Sequence, residues 1–197
     1  MLQSASLAAD LNNTLQKPVG TGGFLDPQKI VNSFGITESM RIADFGSGAG
    51  YFTIIMAKIA GESALVSAVD ILDSALDQVR TKAKNEGLRN IQTIRANLEI
   101  FGGSGLDNDS QDIVLLANIL FQSDQKSEIV KEAKRVLRPG GRLILIDWRQ
   151  GTGGFGPPDN LRLDEEAMRS LVTQQDFQFV STIDTGSFHY GLIFQKI

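Results

Sequence analysis

Two aspartates and a run of glycines carry the first chemistry in this sequence. Asp44 precedes the stretch Gly46-Ser47-Gly48-Ala49-Gly50, and Asp70 closes the apolar segment LVSAVD twenty residues beyond Gly50. Glycine at such positions lets the backbone turn sharply and approach a ligand with no Cβ in between. A dinucleotide fingerprint needs its third glycine one position later, where this chain has Tyr51, and no Gly-Lys-Ser/Thr ending marks a Walker loop. A carboxylate at the mouth of the loop repels a pyrophosphate and attracts an ammonium or another cation. Asp70 stands where a carboxylate accepts hydrogen bonds from ribose hydroxyls, although alone it could instead cap the following helix. Together the pair asks for a nucleoside with a cationic amino-acid tail, the shape of S-adenosyl-L-methionine.

The elements that hold these residues alternate in kind. Strand-like runs are predicted from Arg41 to Phe45, Ala64 to Val69, Ile91 to Arg95, Ile113 to Ala117 and Arg142 to Asp147. Helical periods fill most gaps: one after the glycine loop, one from Ser74 to Glu86 and one from Gln125 to Leu137, which stops before RPGG, read as a helix stop and turn. Alternation of this sort signals a mainly parallel sheet with helices on both faces. A further helix is predicted from about Asp164 to Gln175, and FQFVSTID and SFHYGLIFQKI then close the chain as an antiparallel hairpin. Asp26-Pro27 opens a short helix that ends at Gly35. The expected organisation is an N-terminal helical segment or lid over residues 1–40 and a cofactor-binding domain over 41–197.

Read in order, ADFGSGAGYF at 43–52, SAVDI at 67–71, IRANLE at 94–99, IVLLANIL at 113–120 and VLRPGGRLILID at 136–147 resemble the class I S-adenosyl-L-methionine-dependent methyltransferases. The resemblance covers about residues 24–197 and is nearest the small-molecule branch that includes quinone-biosynthesis methyltransferases. It implies an α/β, Rossmann-like, doubly wound seven-stranded sheet with an antiparallel C-terminal hairpin. It also implies that Asp44 and the backbone of Gly46, Ser47 and Gly48 hold the methionine end of the cofactor, that Asp70 takes the ribose and that Ile71 packs on the adenine. Asn97 and Leu98 match the place where the family often has Asp and an apolar residue. An amide oxygen can still accept from the adenine amino group, and Asn97 could alternatively close a turn. Asn118, after the fourth strand, is expected to border the methyl-transfer space.

Other residues are candidates of a second kind. His189, the single histidine, and Asp147 could remove a proton from an acceptor if either reaches the methyl site; a satisfied strand histidine is the competing reading. Phe24 and Tyr51 could touch cofactor or substrate, or simply pack. The glycine-rich stretches VGTGGF and GTGGFGPPDN could be lids or plain connectors. Glu128, Lys131, Glu132 and Arg135 read as a solvated helix face with local pairs.

Composition narrows the functional classes. The absence of cysteine excludes disulfides, thiolate metal sites and cysteine nucleophiles, and with one histidine no metal centre is expected. A net charge of −4 argues against a nucleic-acid partner. No apolar run approaches the roughly 20 residues of a membrane span. The start of the chain lacks the pattern of a secretory signal, so a cytoplasmic location is the default expectation. The leading expectation is therefore a methyltransferase for a small-molecule acceptor. The alternatives are a cofactor-binding module without turnover, a protein or RNA methyltransferase, and a nicotinamide-dependent oxidoreductase. A homodimer formed through the first 20 residues is a further expectation.

Overall fold

Seven strands form one sheet in the computed structural model, which describes residues 25–197. The readings placed on Phe24 and on the N-terminal dimer contact lie outside the described residues. The strands are β1 (Arg41–Phe45), β2 (Leu65–Asp70), β3 (Ile91–Arg95), β4 (Gln111–Ala117), β5 (Leu137–Trp148), β6 (Phe177–Ile183) and β7 (His189–Lys196). Their spatial order is β3-β2-β1-β4-β5-β7-β6. Strands β1 to β5 run parallel, and β7 pairs antiparallel with both β5 and β6.

Strand residues alternate between two apolar layers, as a sheet covered on both faces requires. Val114, Leu116, Leu143 and Leu145 join one core, and Ile113, Leu115, Ile144 and Ile146 join the other. Helix α1 (Pro27–Val31) and helix α2 (Tyr51–Ala60) cover the second layer through Ile30, Val31, Phe52 and Met56. Helix α4 (Lys126–Val136) and helix α5 (Glu165–Thr173) cover the first through Ile129, Val130, Met168 and Val172. Between α2 and the sheet edge, helix α3 (Asp73–Asn85) packs Leu76 and Val79 on Ala68.

Local chemistry explains the helix boundaries. Asp26 caps α1 by accepting from the Lys29 N–H at 3.3 Å, Pro27 occupies the first turn, and after a 3-10 turn the chain leaves through Gly35 at φ +63°. Asp164 caps α5 by accepting from the Ala167 N–H at 2.8 Å.

Two expectations need correction. RPGG is not a turn ahead of β5 but a bulged entry within it: Gln111 pairs with Leu137 and Ile113 with Arg142, so the intervening residues are pushed out of register. Nor is Glu132 on a solvated face. Glu128 and Lys131 do pair at the surface, at 2.7 Å, but the Glu132 side chain is 0% exposed. It lies on the same stripe of α4 as Ile129 and Val136. There it accepts from the N–H groups of Gly102 (2.7 Å) and Ser104 (3.1 Å), from the Ser104 hydroxyl and from Arg135. The turn after β3 is thereby tied to α4.

Candidate functional site

Strand order reverses at β1, which has β2 on one side and β4 on the other, and open α/β sheets bind ligands in the crevice at such a switch point. A cavity of about 710 Å³ opens there, at the carboxyl ends of β1 to β4. Asp44, Gly46, Ser47, Gly48, Tyr51, Asp70, Ile71, Asn97, Leu98 and Asn118 all line it. Ten residues chosen from the sequence thus converge on one space.

The glycine loop is shaped by necessity at two positions. At Gly46, φ is +72° and an added Cβ would lie 2.5 Å from the Ile119 Cδ1 atom. Gly48, at φ +50°, has no atom within 4 Å of such a Cβ, so there the requirement is conformational and the backbone stays open to the cavity. The loop is pinned on several sides. The N–H groups of Gly46 and Ser47 donate to the Val69 carbonyl at 2.8 and 3.1 Å, and the Gly48 N–H donates to Asp70 Oδ2 at 2.9 Å. From α3, Lys82 donates to the Ala49 carbonyl at 2.8 Å and sits 3.6 Å above the Tyr51 ring.

The two leading carboxylates differ in environment. Asp44 is 2% exposed and accepts a 2.5 Å hydrogen bond from the Thr53 hydroxyl. Burial pushes its carboxyl up to about 6, against the Thr53 hydrogen bonds and with a smaller push from the Asp70 charge. Asp70 accepts from Gly48 with one oxygen and from the Leu72 N–H, at 2.9 Å, with the other. Leu72, and not Asp70, occupies the N-cap position of α3.

Farther round the cavity, Asn97 Oδ1 accepts from the Glu99 N–H at 2.9 Å, so the turn-closing reading of Asn97 is realised at a residue that also lines the site. Asn118 adopts φ +57°, rare for a residue with a side chain. Its Oδ1 and the Ser47 Oγ are buried with no hydrogen-bond partner among the described residues.

The charge of this lining is one-sided. Asp44, Asp70 and Glu99 contribute carboxylates, and among the described residues no lysine, arginine or histidine belongs to it. A pyrophosphate would meet only repulsion, whereas a sulfonium or ammonium would be attracted. The Asp44 and Asp70 carboxylates, the open glycine backbone and the exposed Ile71 side chain fit S-adenosyl-L-methionine on three counts: charge, close backbone approach and an apolar surface for a flat base.

Asp147 and His189 are placed elsewhere, since neither lines the cavity. Asp147, at the end of β5, is 2% exposed and accepts from the Trp148 N–H at 2.8 Å. Burial pushes its carboxyl up to about 6, opposed by hydrogen bonds from the Trp148 and Phe121 backbone and by the charges of Lys126 and Arg162. His189 is 0% exposed and packs on Trp148 with ring centroids 4.1 Å apart.

Several lining residues escaped the sequence reading: Phe52, Glu99, Ile119, Gln122 and Ser123 among them. Phe52 and Glu99 adjoin recognised residues, and that adjacency was the available signal. Ile119, Gln122 and Ser123 lie on the irregular link between β4 and α4, which has no period to read.

Comparison with known proteins agrees with this geometry. Residues 36–187 match the family model described as a methyltransferase domain. A ubiquinone/menaquinone biosynthesis C-methyltransferase from Shewanella pealeana is 29% identical over 119 residues, 60% of this chain and 46% of that protein. The chain thus aligns with about half the length of the curated relatives it matches. Among solved structures, a SAM-dependent methyltransferase from Aquifex aeolicus superposes with a TM-score of 0.80 at 23% identity, covering 88% of this chain and 91% of the other. A protein from Sulfolobus solfataricus, described as a type 11 methyltransferase, gives 0.71 at 26% identity over 88% and 94%. A switch-point cavity with an open glycine loop and a carboxylate lining sits within the matched segment, and on that match the chain belongs to the methyltransferase domain family.

Proposed function

We propose that the protein is an S-adenosyl-L-methionine-dependent methyltransferase acting on a small organic acceptor. The observation that carries this reading is the lining of the switch-point cavity: the carboxylates of Asp44 and Asp70, no cation among the described residues and a glycine loop pinned open. Asp44, Ser47 and the Gly46–Gly48 backbone would hold the amino-acid end, Asp70 the ribose, and Ile71, Asn97 and Leu98 the base. When bound, the cofactor supplies a methyl group activated on sulfonium sulfur, which departs as a neutral thioether.

The chain's own task is then to align the acceptor and exclude water. Asn118, Ile119 and Gln122 form the wall beyond β4. No residue is assigned as a general base, because neither Asp147 nor His189 lines the cavity. The curated relatives named for quinone biosynthesis support a small organic acceptor. The net charge of −4 disfavours RNA. Among the described residues no helix is long and apolar enough to cross a membrane, which accords with a cytoplasmic setting.

Calorimetric titration of cofactor-stripped protein with S-adenosylhomocysteine and, separately, NADH tests the reading. Binding of the first alone supports it; binding of NADH alone overturns it. Transfer of label from the methyl-labelled cofactor to a pool of small acceptors then separates an enzyme from a binding module.

A further inference from the structure

The loop after β3 and the start of α4 are stapled together beside the cavity. Glu99 Oε1 accepts from the Ser123 hydroxyl at 2.7 Å, and both residues line the site. Ser123 in turn organises the helix start: its Oγ accepts from the Gln125 N–H at 2.9 Å and its carbonyl accepts from Lys126 Nζ at 2.5 Å. Lower on the same helix, buried Glu132 grips Gly102 and Ser104. The 97–104 segment is therefore fastened to α4 at two points, and hydrogen bonds link the base side of the cavity to the wall that carries Asn118, Ile119 and Gln122.

The two fastenings differ. Glu132 is inaccessible and belongs to the core, whereas Glu99 is exposed on the cavity side, so its bond to Ser123 adds little to a packed interior. Asn97 Oδ1 accepts from the Glu99 N–H, so the orientation of Glu99 is passed directly to a residue expected to meet the base.

We propose that Glu99 is a positioning residue of the cofactor cavity, acting through the Ser123 hydroxyl to hold the base side and the β4–α4 wall in the binding arrangement. This inference rests on the cofactor reading above. The test is a double-mutant cycle on S-adenosylhomocysteine affinity, with the unfolding temperature of each ligand-free variant measured in parallel. Glu99→Ala and Ser123→Ala should each weaken binding about tenfold, the size expected for a lost hydrogen bond to a charged group. The double variant should bind no more weakly than the worse single one, since both remove the same link. Glu99→Gln keeps an acceptor for the hydroxyl and should restore most of the affinity. The proposal is overturned if Glu99→Ala binds like the wild type, if the two losses multiply, or if Glu99→Gln binds as weakly as Glu99→Ala, which would make Glu99 a charge acting on the ligand. It is also overturned if affinity only follows the loss of unfolding temperature. Failure of the wild-type protein itself to bind S-adenosylhomocysteine would instead remove the cofactor reading and this inference with it.

Discussion

The Gly48 N–H donates to Asp70 Oδ2 across 2.9 Å, so the carboxylate that closes β2 also sets the glycine loop that follows β1. One side chain thus shapes the loop and presents a carboxylate to the cavity. Asp70→Ala should weaken S-adenosylhomocysteine binding by about 100-fold, the combined effect of two lost charge-assisted hydrogen bonds. The unfolding temperature should fall by only a few degrees, because the residue is not in the core. Calorimetry beside thermal unfolding separates the two effects; unchanged affinity would remove Asp70 from the site.

Asp44 predicts a conflict between stability and binding. Its carboxyl titrates near 6 in the folded protein and near 3.8 when unfolded, because burial penalises the charge. The folded state therefore holds the proton more tightly, and stability from this group declines as pH rises from about 4 to about 6. At pH 7 the buried charge costs on the order of 3 kcal/mol. Asp44→Asn should accordingly raise the unfolding temperature at pH 7, show little gain at pH 4 and bind S-adenosylhomocysteine far more weakly. Wild-type affinity should itself fall as pH drops through 6, where the carboxylate is lost. A variant no more stable than wild type at pH 7 would contradict the assigned burial cost.

Much of this arrangement is legible in the residue order. A glycine loop with aspartates before and after it can be recognised because positive φ and an open backbone admit few other residue types. Strands β1 and β3 match their predicted limits, since short apolar runs bounded by turns have few alternatives. Glu132 departs from expectation for the opposite reason: an acidic residue among lysines and arginines on a helix is ordinarily solvated, and its burial is made tolerable by Arg135 together with partners near residue 103. Asp147 and His189 have suitable chemistry, but whether they line the cavity depends on how β5 and β7 pair, which residue type does not reveal. Ser123 belongs to a link without periodicity, so its contact with Glu99 becomes visible only in three dimensions.

Arg162 gives the glycine-rich segment after β5 a definite shape. Its guanidinium donates to the carbonyls of Arg149 (2.6 Å), Phe155 and Pro157 and to the Thr152 hydroxyl (2.5 Å), while its side chain is 1% exposed. The segment read as a lid or connector is wrapped around this fork. Arg162→Lys cannot satisfy the same acceptors. Cleavage by chymotrypsin after Phe155 should speed up by on the order of tenfold or more, following the larger open population. Affinity for S-adenosylhomocysteine should hold, because the segment does not line the cavity. Unchanged cleavage would show that the glycines and prolines shape the segment without the arginine.

Glu132 should behave oppositely to Asp44 as pH changes. Burial alone would raise its carboxyl, but hydrogen bonds from Arg135, the Ser104 hydroxyl and the Gly102 and Ser104 backbone outweigh that and hold it at about 2. The unfolded chain therefore binds the proton more tightly, and the stability this group contributes is present above about 4.5 and lost as pH falls toward 2. Glu132→Gln keeps the size but replaces a charged acceptor with an amide beside Arg135. It should lower unfolding stability at pH 7 by about 1.5–3 kcal/mol. Chemical denaturation of both proteins at pH 7 and pH 3 checks this: the difference should shrink markedly at pH 3, where the wild-type carboxylate begins to lose its advantage. The contributions of Asp44 and Asp147 run the other way on acidification, but both proteins retain them and they cancel in the comparison. An equal difference at both pH values would mean that Glu132 stabilises α4 by packing alone, and that its charge does not hold the turn after β3.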